Sequence, residues 1–365
     1  MNNTINVVID SKDVSYPIYI ERNAISSLVE EINECTKDAK KLIVISKKVY
    51  SLYKKELNFC SKEILVLKDG EHQKNIKNYF KIINKAKSLK LTRKDYIVAI
   101  GGGVIGDIAG FAASTYMRGI KYIQIPTTLL AFVDSSVGGK TAIDIPNGKN
   151  YLGTFYQPSA VYINLNFIKT LDKKQLKSGF GEIIKYAFIE NSCGLENENS
   201  MLLEFLTINC DRILELDFDF IEKIIRMCLS LKISVVKNDE KESDLRRILN
   251  LGHTYAHALE SITNYRKYTH GQAVIYGLMF IFNYAYENKY IDEIYYRLAF
   301  QLFEKYGYKT LKAWHSKKRI IKLMLADKKT TSKINLVVPT GKRFVEVKEI
   351  DSPEKLNFNT KSLIK

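Results

Sequence analysis

Apolar residues come in short runs along the first half of the chain, and the polar stretches between them change spacing from one run to the next. Ile5–Ile9 and Tyr16–Ile20 predict two short strands, and the polar residues Asp10, Ser11, Lys12 and Asp13 predict the turn that pairs them antiparallel. From Asn23 to Glu34 the spacing becomes helical, with Ile25, Leu28, Val29 and Ile32 on one side. Lys41–Ile45, Glu63–Leu67 and Tyr96–Ile100 are further strand-like runs, separated by helical stretches near 48–57 and 74–89. Tyr122–Ile125 and Val161–Ile163 add two more. Strand alternating with helix predicts a parallel sheet with crossover helices, whose ligands sit outside the carboxyl ends of the strands.

Beyond Leu171 the strand-like runs stop. Long amphipathic stretches follow at 175–190, 218–237, 253–262, 270–288, 291–306 and 317–326. One exception is Ile334–Val338, which the turn Pro339, Thr340, Gly341 folds back on Phe344–Val347 as a late hairpin. The pattern therefore predicts an α/β, Rossmann-like parallel-sheet domain over residues 1–172 and a mainly α-helical domain over 173–365. With no flexible linker near 172, the two are expected to pack around a shared cleft.

Composition narrows the class. A chain of 365 residues with 46% hydrophobic content is long enough for two buried cores. The formal charge of +16 is spread over lysines along the whole length, without a nucleic-acid-binding signature, which favours anionic small molecules over nucleic acid. Five cysteines, an odd number with no C-x-x-C pair, argue against a disulfide framework and for a reducing compartment. The opening MNNTINVVIDSKD lacks the features of a signal peptide, and the longest apolar run, Ala273–Tyr286, contains Asn283 and is too short to span a bilayer. The expectation is a cytoplasmic protein with no membrane partner.

Chemistry concentrates in a few places. The run Asp95–Ile100 ends in Gly101, Gly102, Gly103 and Gly106, a G-x-G-x-x-G turn before a helix expected to start near Asp107. Such a turn brings backbone N–H groups and a positive helix end up to an anion. The connecting region after it, Asp134–Thr141 and Gly148–Asn150, is dense in glycine, hydroxyls and lysine. Only five histidines occur, at 72, 253, 257, 270 and 315, and three of them lie between 253 and 270. His253 and His257 share one face of a predicted helix and His270 opens the next, so the spacing alone makes both His253 and His257 metal ligands. The segment reads His-Thr-Tyr-Ala-His and lacks the general base of a zinc protease. His315 reads as structural. Glu182 stands as a carboxylate among the apolar and glycine residues of SGFGEIIK.

The segments GGGVIGDIAGF, RGIKYIQIPTTLLAFVDSSVGGKTAID, GKNYLGTFYQP, SGFGEIIKYAFI, NDEKESDLRRILNLGHTYAHALE, HGQAVIYGL and a late DKK resemble, in that order, the 3-dehydroquinate synthases. These are sugar phosphate cyclases of the shikimate pathway, and the resemblance runs from about Gly70 to Lys329. It implies conversion of 3-deoxy-D-arabino-heptulosonate 7-phosphate to 3-dehydroquinate and phosphate, with NAD used catalytically. A hydroxyl is oxidised, phosphate is eliminated, the ketone is reduced, and the opened sugar closes by an aldol step. The implied metal ligands are Glu182, His253 and His270, with zinc or cobalt as the ion and His257 facing the substrate.

The resemblance further implies that Arg118, Asp134, Lys140, Lys149, Asn150, Lys185, Lys232, Arg246, Asn250, His257 and Lys328 hold a substrate bearing a carboxylate and a phosphate. Lys140, Lys185, Lys232, Arg246, Asn250 and His257 carry the catalytic role. Cofactor contacts fall to Glu71, Lys74, Gly102, Gly103, Val104, Asp107, Thr127, Thr128, Asp134, Lys140, Lys149, Phe167 and Thr170. The family is usually dimeric, so a homodimer is expected. One departure concerns the NAD ribose: after Ile45, where many members carry an acid or amide, this chain has Ser46, Lys47 and Lys48. Two other readings stay open, another sugar phosphate cyclase and an NAD- and metal-dependent polyol dehydrogenase. Lys232, Arg246, Asn250 and His257 at the carboxylate end speak against the first, and the segments Asp134–Lys140 and Asp239–Arg246 against the second.

Overall fold

The computed structural model describes residues 4–9, 14–146, 148–194, 201–311, 316–326 and 333–363. The chain divides into two compact units, Met1–Leu171 and Asp172–Lys365.

The first unit is built on a seven-stranded sheet. Its strands are β1 (Thr4–Ile9), β2 (Val14–Glu21), β3 (Lys41–Ser46), β4 (Ile64–Leu67), β5 (Tyr96–Gly101), β6 (Lys121–Pro126) and β9 (Ala160–Asn164), in the order β1-β2-β9-β6-β5-β3-β4. The expected antiparallel pair is present, running from Thr4 opposite Tyr19 to Ile9 opposite Val14. The other pairings are parallel, as the alternation of strand and helix predicted. Leu42–Val44 and Ile97–Val98 have no solvent exposure, which is why these strands read as unbroken apolar runs.

Four helices, α1 (Ser27–Cys35), α2 (Lys47–Tyr53), α3 (Ile76–Ser88) and α4 (Gly103–Thr115), serve as connections. Ile105, Ile108, Ala109 and Ala112 of α4 share a core with Leu42, Val44, Ile97 and Ala99 of the sheet and with Ile82 and Ala86 of α3. Two expectations need correction. Helix α4 starts at Gly103, not near Asp107, because the glycine turn itself supplies the N-cap, Gly102. Asp107 therefore lies one turn inside the helix. The region expected to be connecting loop contains an antiparallel hairpin, β7 (Lys140–Ile145) and β8 (Gly148–Phe155), paired from Lys140 opposite Phe155.

The second unit is mostly helical: α5 (Lys173–Ile189), α6 (Leu202–Ile208), α7 (Cys210–Leu214), α8 (Phe218–Asn238), α9 (His253–Ile262), α10 (His270–Glu287), α11 (Glu293–Lys305) and α12 (Lys317–Ala326). The short helices α6 and α7 were not expected. Asp172 caps α5 by accepting the N–H of Gln175, and from Ser178 to Ile189 that helix is buried on every side. The late hairpin is present as β10 (Ile334–Gly341) and β11 (Phe344–Ile350). Its turn is anchored to the end of α5: the Arg343 guanidinium lies 2.9 Å from Glu190, and Asn191 donates to the Lys342 carbonyl at 2.6 Å. The buried amide of Asn283 on α10 donates to the carbonyls of Asn359 and Lys361 and ties the final segment to the bundle. Among the described residues no helix is long and apolar enough to cross a membrane.

Candidate active site

In the first unit, two clusters stand at the carboxyl ends of the strands. One is the glycine turn between β5 and α4. No side chain caps α4, and a Cβ on Gly102 would stand 3.1 Å from the Thr128 methyl, one on Gly103 3.0 Å from Ser135 Oγ. Bare backbone is what fits there. Thr127 donates its N–H to Gly101 O at 3.0 Å, and Thr128 Oγ1 accepts from Ala131 N, so β6 and the glycine turn are stitched together. A helix start of this kind, with its first N–H groups uncovered by side chains, suits a phosphate or pyrophosphate.

The other cluster is ionic. Lys74, buried beside the short turn Glu71–Gln73, donates to Asp107 and, at 2.5 Å, to Asn150 Oδ1. Lys149 pairs with Glu71 at 3.2 Å. Asp144 accepts the Asn150 N–H at 2.7 Å and donates its own N–H to the Lys74 carbonyl. Burial raises the Asp107 carboxyl above its usual range although Lys74 opposes the shift. Asp144 is raised for the same reason, against the Asn150 hydrogen bond and Lys74. Glu71, Lys74, Asp107, Lys149 and Asn150 are thus brought together from three separate segments. Asp144 was missed by sequence reasoning, since a lone acid in a turn-rich stretch has no distinctive spacing.

The other expected residues of this unit lie around these clusters or elsewhere. Val104 is in the first turn of α4, Asp134 on the wide, π-helical turn Ala131–Ser135, and Lys140 at the exposed start of β7. Arg118 follows Met117 and precedes Gly119, all three with positive φ. Phe167 and Thr170 belong to a different packing group: the Phe167 ring meets Tyr53 edge-on at 5.3 Å, and the Thr170 hydroxyl bonds the Tyr53 hydroxyl at 2.6 Å. The Ser46 hydroxyl caps α2 by accepting from Val49 N, and Asp69 accepts the Lys48 N–H.

In the second unit, Glu182, His253 and His270 converge. His270 Nε2 lies 3.2 Å and His253 Nε2 3.5 Å from Glu182 Oε1, and one ligand atom from each residue falls within 4.8 Å of the others. Gly252 makes this possible for His253: it enters α9 with φ +77°, and a Cβ there would meet the backbone of Gly277 and Val274 on α10 at 3.1 Å. The histidine is thereby held hard against the neighbouring helix. His257, one turn on, has its ring 5.5 Å from that of His253 and 6.2 Å from that of His270, and it is outside the group of three. The side chains that converge are therefore a carboxylate and two imidazoles from three helices, whereas spacing alone had pointed to His253 with His257.

The electrostatics of the trio are uneven. Burial pushes His253 down to about 3, against Glu182 and with Lys185 and the other imidazoles adding to the fall. For His270 burial opposes the charge too, yet Glu260 and Glu182 outweigh it and raise the group to about 10. The pocket thus favours a positive charge on that side. A carboxylate and two imidazoles are the donor set of a catalytic zinc or cobalt ion. Lys185 Nζ, one turn along α5, holds Glu182 Oε2 at 2.5 Å, both side chains being buried.

The remaining expected residues sit nearby in the chain. Lys232 is buried on α8. Asp239 gathers the N–H groups of Ser243, Asp244 and Arg246. Burial works against its ionisation, but these hydrogen bonds outweigh it and lower the carboxyl. The loop so formed carries the buried Arg246 guanidinium, which donates to the Glu240 carbonyl, and Asn250, whose amide donates to Glu242. Asp239, Glu242 and Glu260 were missed. For Glu260 there was a signal, since 253, 257 and 260 recur on one helix face. Lys328 and His315 lie outside the described residues.

Two protein families match the chain: 3-dehydroquinate synthase N-terminal over residues 64–178, and 3-dehydroquinate synthase C-terminal over residues 179–330. A 3-dehydroquinate synthase of Thermoanaerobacter sp. (strain X514) is 41% identical over 355 residues, spanning 95% of this chain and 98% of its own. Among solved structures, 2-epi-5-epi-valiolone synthase from Streptomyces hygroscopicus subsp. jinggangensis 5008, with NAD+ and Zn2+ bound, has a TM-score of 0.83 at 23% identity over 94% of this chain and 95% of that one. A 2-deoxy-scyllo-inosose synthase complexed with carbaglucose-6-phosphate, NAD+ and Co2+ has a TM-score of 0.79 at 22% identity, over 98% and 100% of the two chains. These two likenesses are likenesses of fold.

Proposed function

The chain belongs to the 3-dehydroquinate synthase family of carbon–oxygen lyases, and from that premise we propose that it converts 3-deoxy-D-arabino-heptulosonate 7-phosphate into 3-dehydroquinate and inorganic phosphate. The observation that carries the reading is the convergence of Glu182, His253 and His270 beside the buried Lys185. When bound, NAD supplies a hydride acceptor and donor, and a zinc or cobalt ion polarises a substrate hydroxyl.

The residues of the chain do the binding and placing. Glu182, His253 and His270 hold the ion. Gly102, Gly103 and the start of α4 receive the dinucleotide's pyrophosphate, with Val104, Thr127, Thr128, Phe167 and Thr170 as further contacts. Lys74, Asp107, Glu71 and Lys149 form the polar ground beside it, and Asp134 and Lys140 serve both cofactor and substrate. Arg246 presents a fixed guanidinium fork to a carboxylate, with Asn250, Lys232 and His257 as partners. Lys185, Lys149, Asn150, Arg118 and Lys328 are assigned to the substrate's anionic groups. Held by these cations, the substrate's own phosphate accepts the proton that precedes its departure. The family resemblance supports a homodimer, and the five free cysteines suit a cytoplasmic location.

The test is phosphate release from the heptulosonate 7-phosphate by zinc- or cobalt-loaded protein with NAD, while absorbance is followed for NADH. Stoichiometric phosphate without NADH, abolished by a chelator and by His270→Ala, is the expected result. NADH without phosphate would make the chain a dehydrogenase, and no turnover with metal and NAD bound would point to a different sugar phosphate.

A further inference from the structure

Glu260 belongs to the same helix face as His253 and His257, and it is almost fully buried. Its Oε1 lies 3.2 Å from His270 Nδ1, while the opposite edge of that ring places Nε2 3.2 Å from Glu182 Oε1. The imidazole of His270 is therefore spanned by two buried carboxylates, one at each nitrogen. A neutral imidazole carries one proton, and the group that accepts it decides which nitrogen keeps a lone pair.

His253 is arranged in the same sense but with a weaker partner. Its Nδ1 faces the carbonyl oxygen of Leu251 at 3.2 Å, so a neutral acceptor stands where His270 has a charged one. Both rings then turn Nε2 toward Glu182, and only His270 has a carboxylate behind it.

The placement of Glu260 is fixed by backbone as well as side chain. Its carbonyl accepts the N–H groups of Thr263 at 3.2 Å and Tyr265 at 2.9 Å, closing α9 into a turn with Asn264 and Tyr265 at positive φ. At the other end of that turn, Thr269 N donates to Gln272 Oε1 at 3.1 Å, a bond that brackets the first residue of α10, His270. The loop thus holds the Glu260 carboxylate against the His270 ring from both sides.

We propose that Glu260 is a positioning residue for the metal centre: its carboxylate accepts the hydrogen bond of His270 Nδ1–H, keeps the Nε2 lone pair directed at the ion and strengthens that ligand as a donor. The proposal rests on the reading of Glu182, His253 and His270 as metal ligands. A carboxylate behind a ligating histidine typically changes metal affinity by roughly 10- to 100-fold.

Co2+ titration of wild type, Glu260→Gln and Glu260→Ala, followed by the visible absorption of bound Co2+ and by chelator competition, tests it, with thermal melting of the metal-free proteins alongside. The expected result is a loss of Co2+ affinity of roughly 10-fold in the glutamine variant and up to about 100-fold in the alanine variant. The metal-free glutamine variant keeps the shape and an acceptor oxygen but loses the charge that faces His270, so its melting temperature should fall modestly, and the loss of Co2+ affinity should exceed what that fall explains. If Glu260→Gln binds Co2+ as tightly as wild type, or weakens only in step with its melting, the role fails and the metal reading stands. If wild type binds no Co2+, or binds it equally well after His270→Ala, the metal reading fails and the role with it.

Discussion

Gly181 on α5 and Gly271 on α10 meet backbone to backbone: a Cβ on Gly181 would stand 2.2 Å from the Gly271 carbonyl oxygen, and one on Gly271 would stand 1.9 Å from that of Ser178. The Gly271 N–H also donates to the Ser178 hydroxyl at 3.2 Å. Each glycine is the chain neighbour of one member of the Glu182–His270 pair. The approach of the two helices, and with it the 3.2 Å separation of carboxylate and imidazole, is set by the absence of two β-carbons.

Gly271→Ala should therefore weaken the metal site through geometry alone. Neither carbonyl can swing aside as a side chain would, so α5 and α10 must separate. Overpacking of this kind costs about 1–3 kcal/mol, and each kcal/mol lowers the melting temperature of a unit this size by about 2–4 °C. Calorimetry and Co2+ titration should show both losses, while Gly194→Ala, strained by its φ of +71° but with only the Ser234 hydroxyl at 3.9 Å from its Cβ, should lower the melting temperature and leave Co2+ affinity unchanged. Intact affinity in Gly271→Ala would mean that the crossing does not set the site.

Much of this arrangement was legible in the sequence, because each legible part has a local cause. The strands β3 and β5 are covered on both faces and so appear as unbroken apolar runs, and β6 differs only by the buried Gln124 and the exposed Lys121 at its start. The clustered histidines pointed to a metal from spacing alone, while Glu182 and His270 entered the expected ligand set through the family resemblance. What was missed depends on partners far away in the chain. The parallel pairing of β2 with β9 joins Ile18 to Val161 across most of the first unit, and no local spacing announces it. The hairpin β7–β8 is interrupted by glycines and turn residues, so its period-2 pattern is faint. The distinction between His257 and His270 as ligands is decided by how α9 and α10 cross, which helical spacing on one element cannot contain.

His257→Ala and His253→Ala separate the two histidine readings. His257 is outside the atoms that converge within 4.8 Å, so its variant should retain one bound Co2+ with affinity close to wild type. Turnover should fall by roughly 10²-fold or more, in the range for a positioned proton-transfer or hydrogen-bonding group. His253→Ala should lose metal and turnover together. Loss of metal in His257→Ala would restore the ligand pair that spacing alone suggested.

Lys74 is buried against Asp107 and Asn150, and removing its charge leaves a carboxyl whose pKa burial has already raised. Lys74→Met should raise Asp107 further, cost about 1–3 kcal/mol of stability and weaken NAD. The figure is below the ~3–5 kcal/mol of a fully buried pair because Asp107 is partly exposed and Lys149 stands nearby. The double variant Lys74→Met, Asp107→Asn should regain most of the stability, since no carboxyl is then stranded. Urea unfolding and NAD titration of the two variants measure both effects, and a single variant equal to wild type in both would remove Lys74 from the site.

Glu21, the last residue of β2, offers a pH signature that involves none of the candidate site residues. Burial, then the hydrogen bond and charge of Glu31, raises its carboxyl from 4.5 to about 7. The native state therefore binds a proton that the unfolded chain has already released between those two values. By linkage, the stability from this group is fully present below pH 4.5 and is lost as pH rises toward about 7. Partial exposure of the pair screens the effect, so its direction and window are the predicted quantities. Glu21→Gln cannot titrate. Its melting temperature relative to wild type should climb as pH goes from about 4.5 to 7 and level off above. Glu31→Gln should shrink the same slope by removing the neighbouring charge. A difference between Glu21→Gln and wild type that stays constant across that range would show that the two carboxyls do not share a proton.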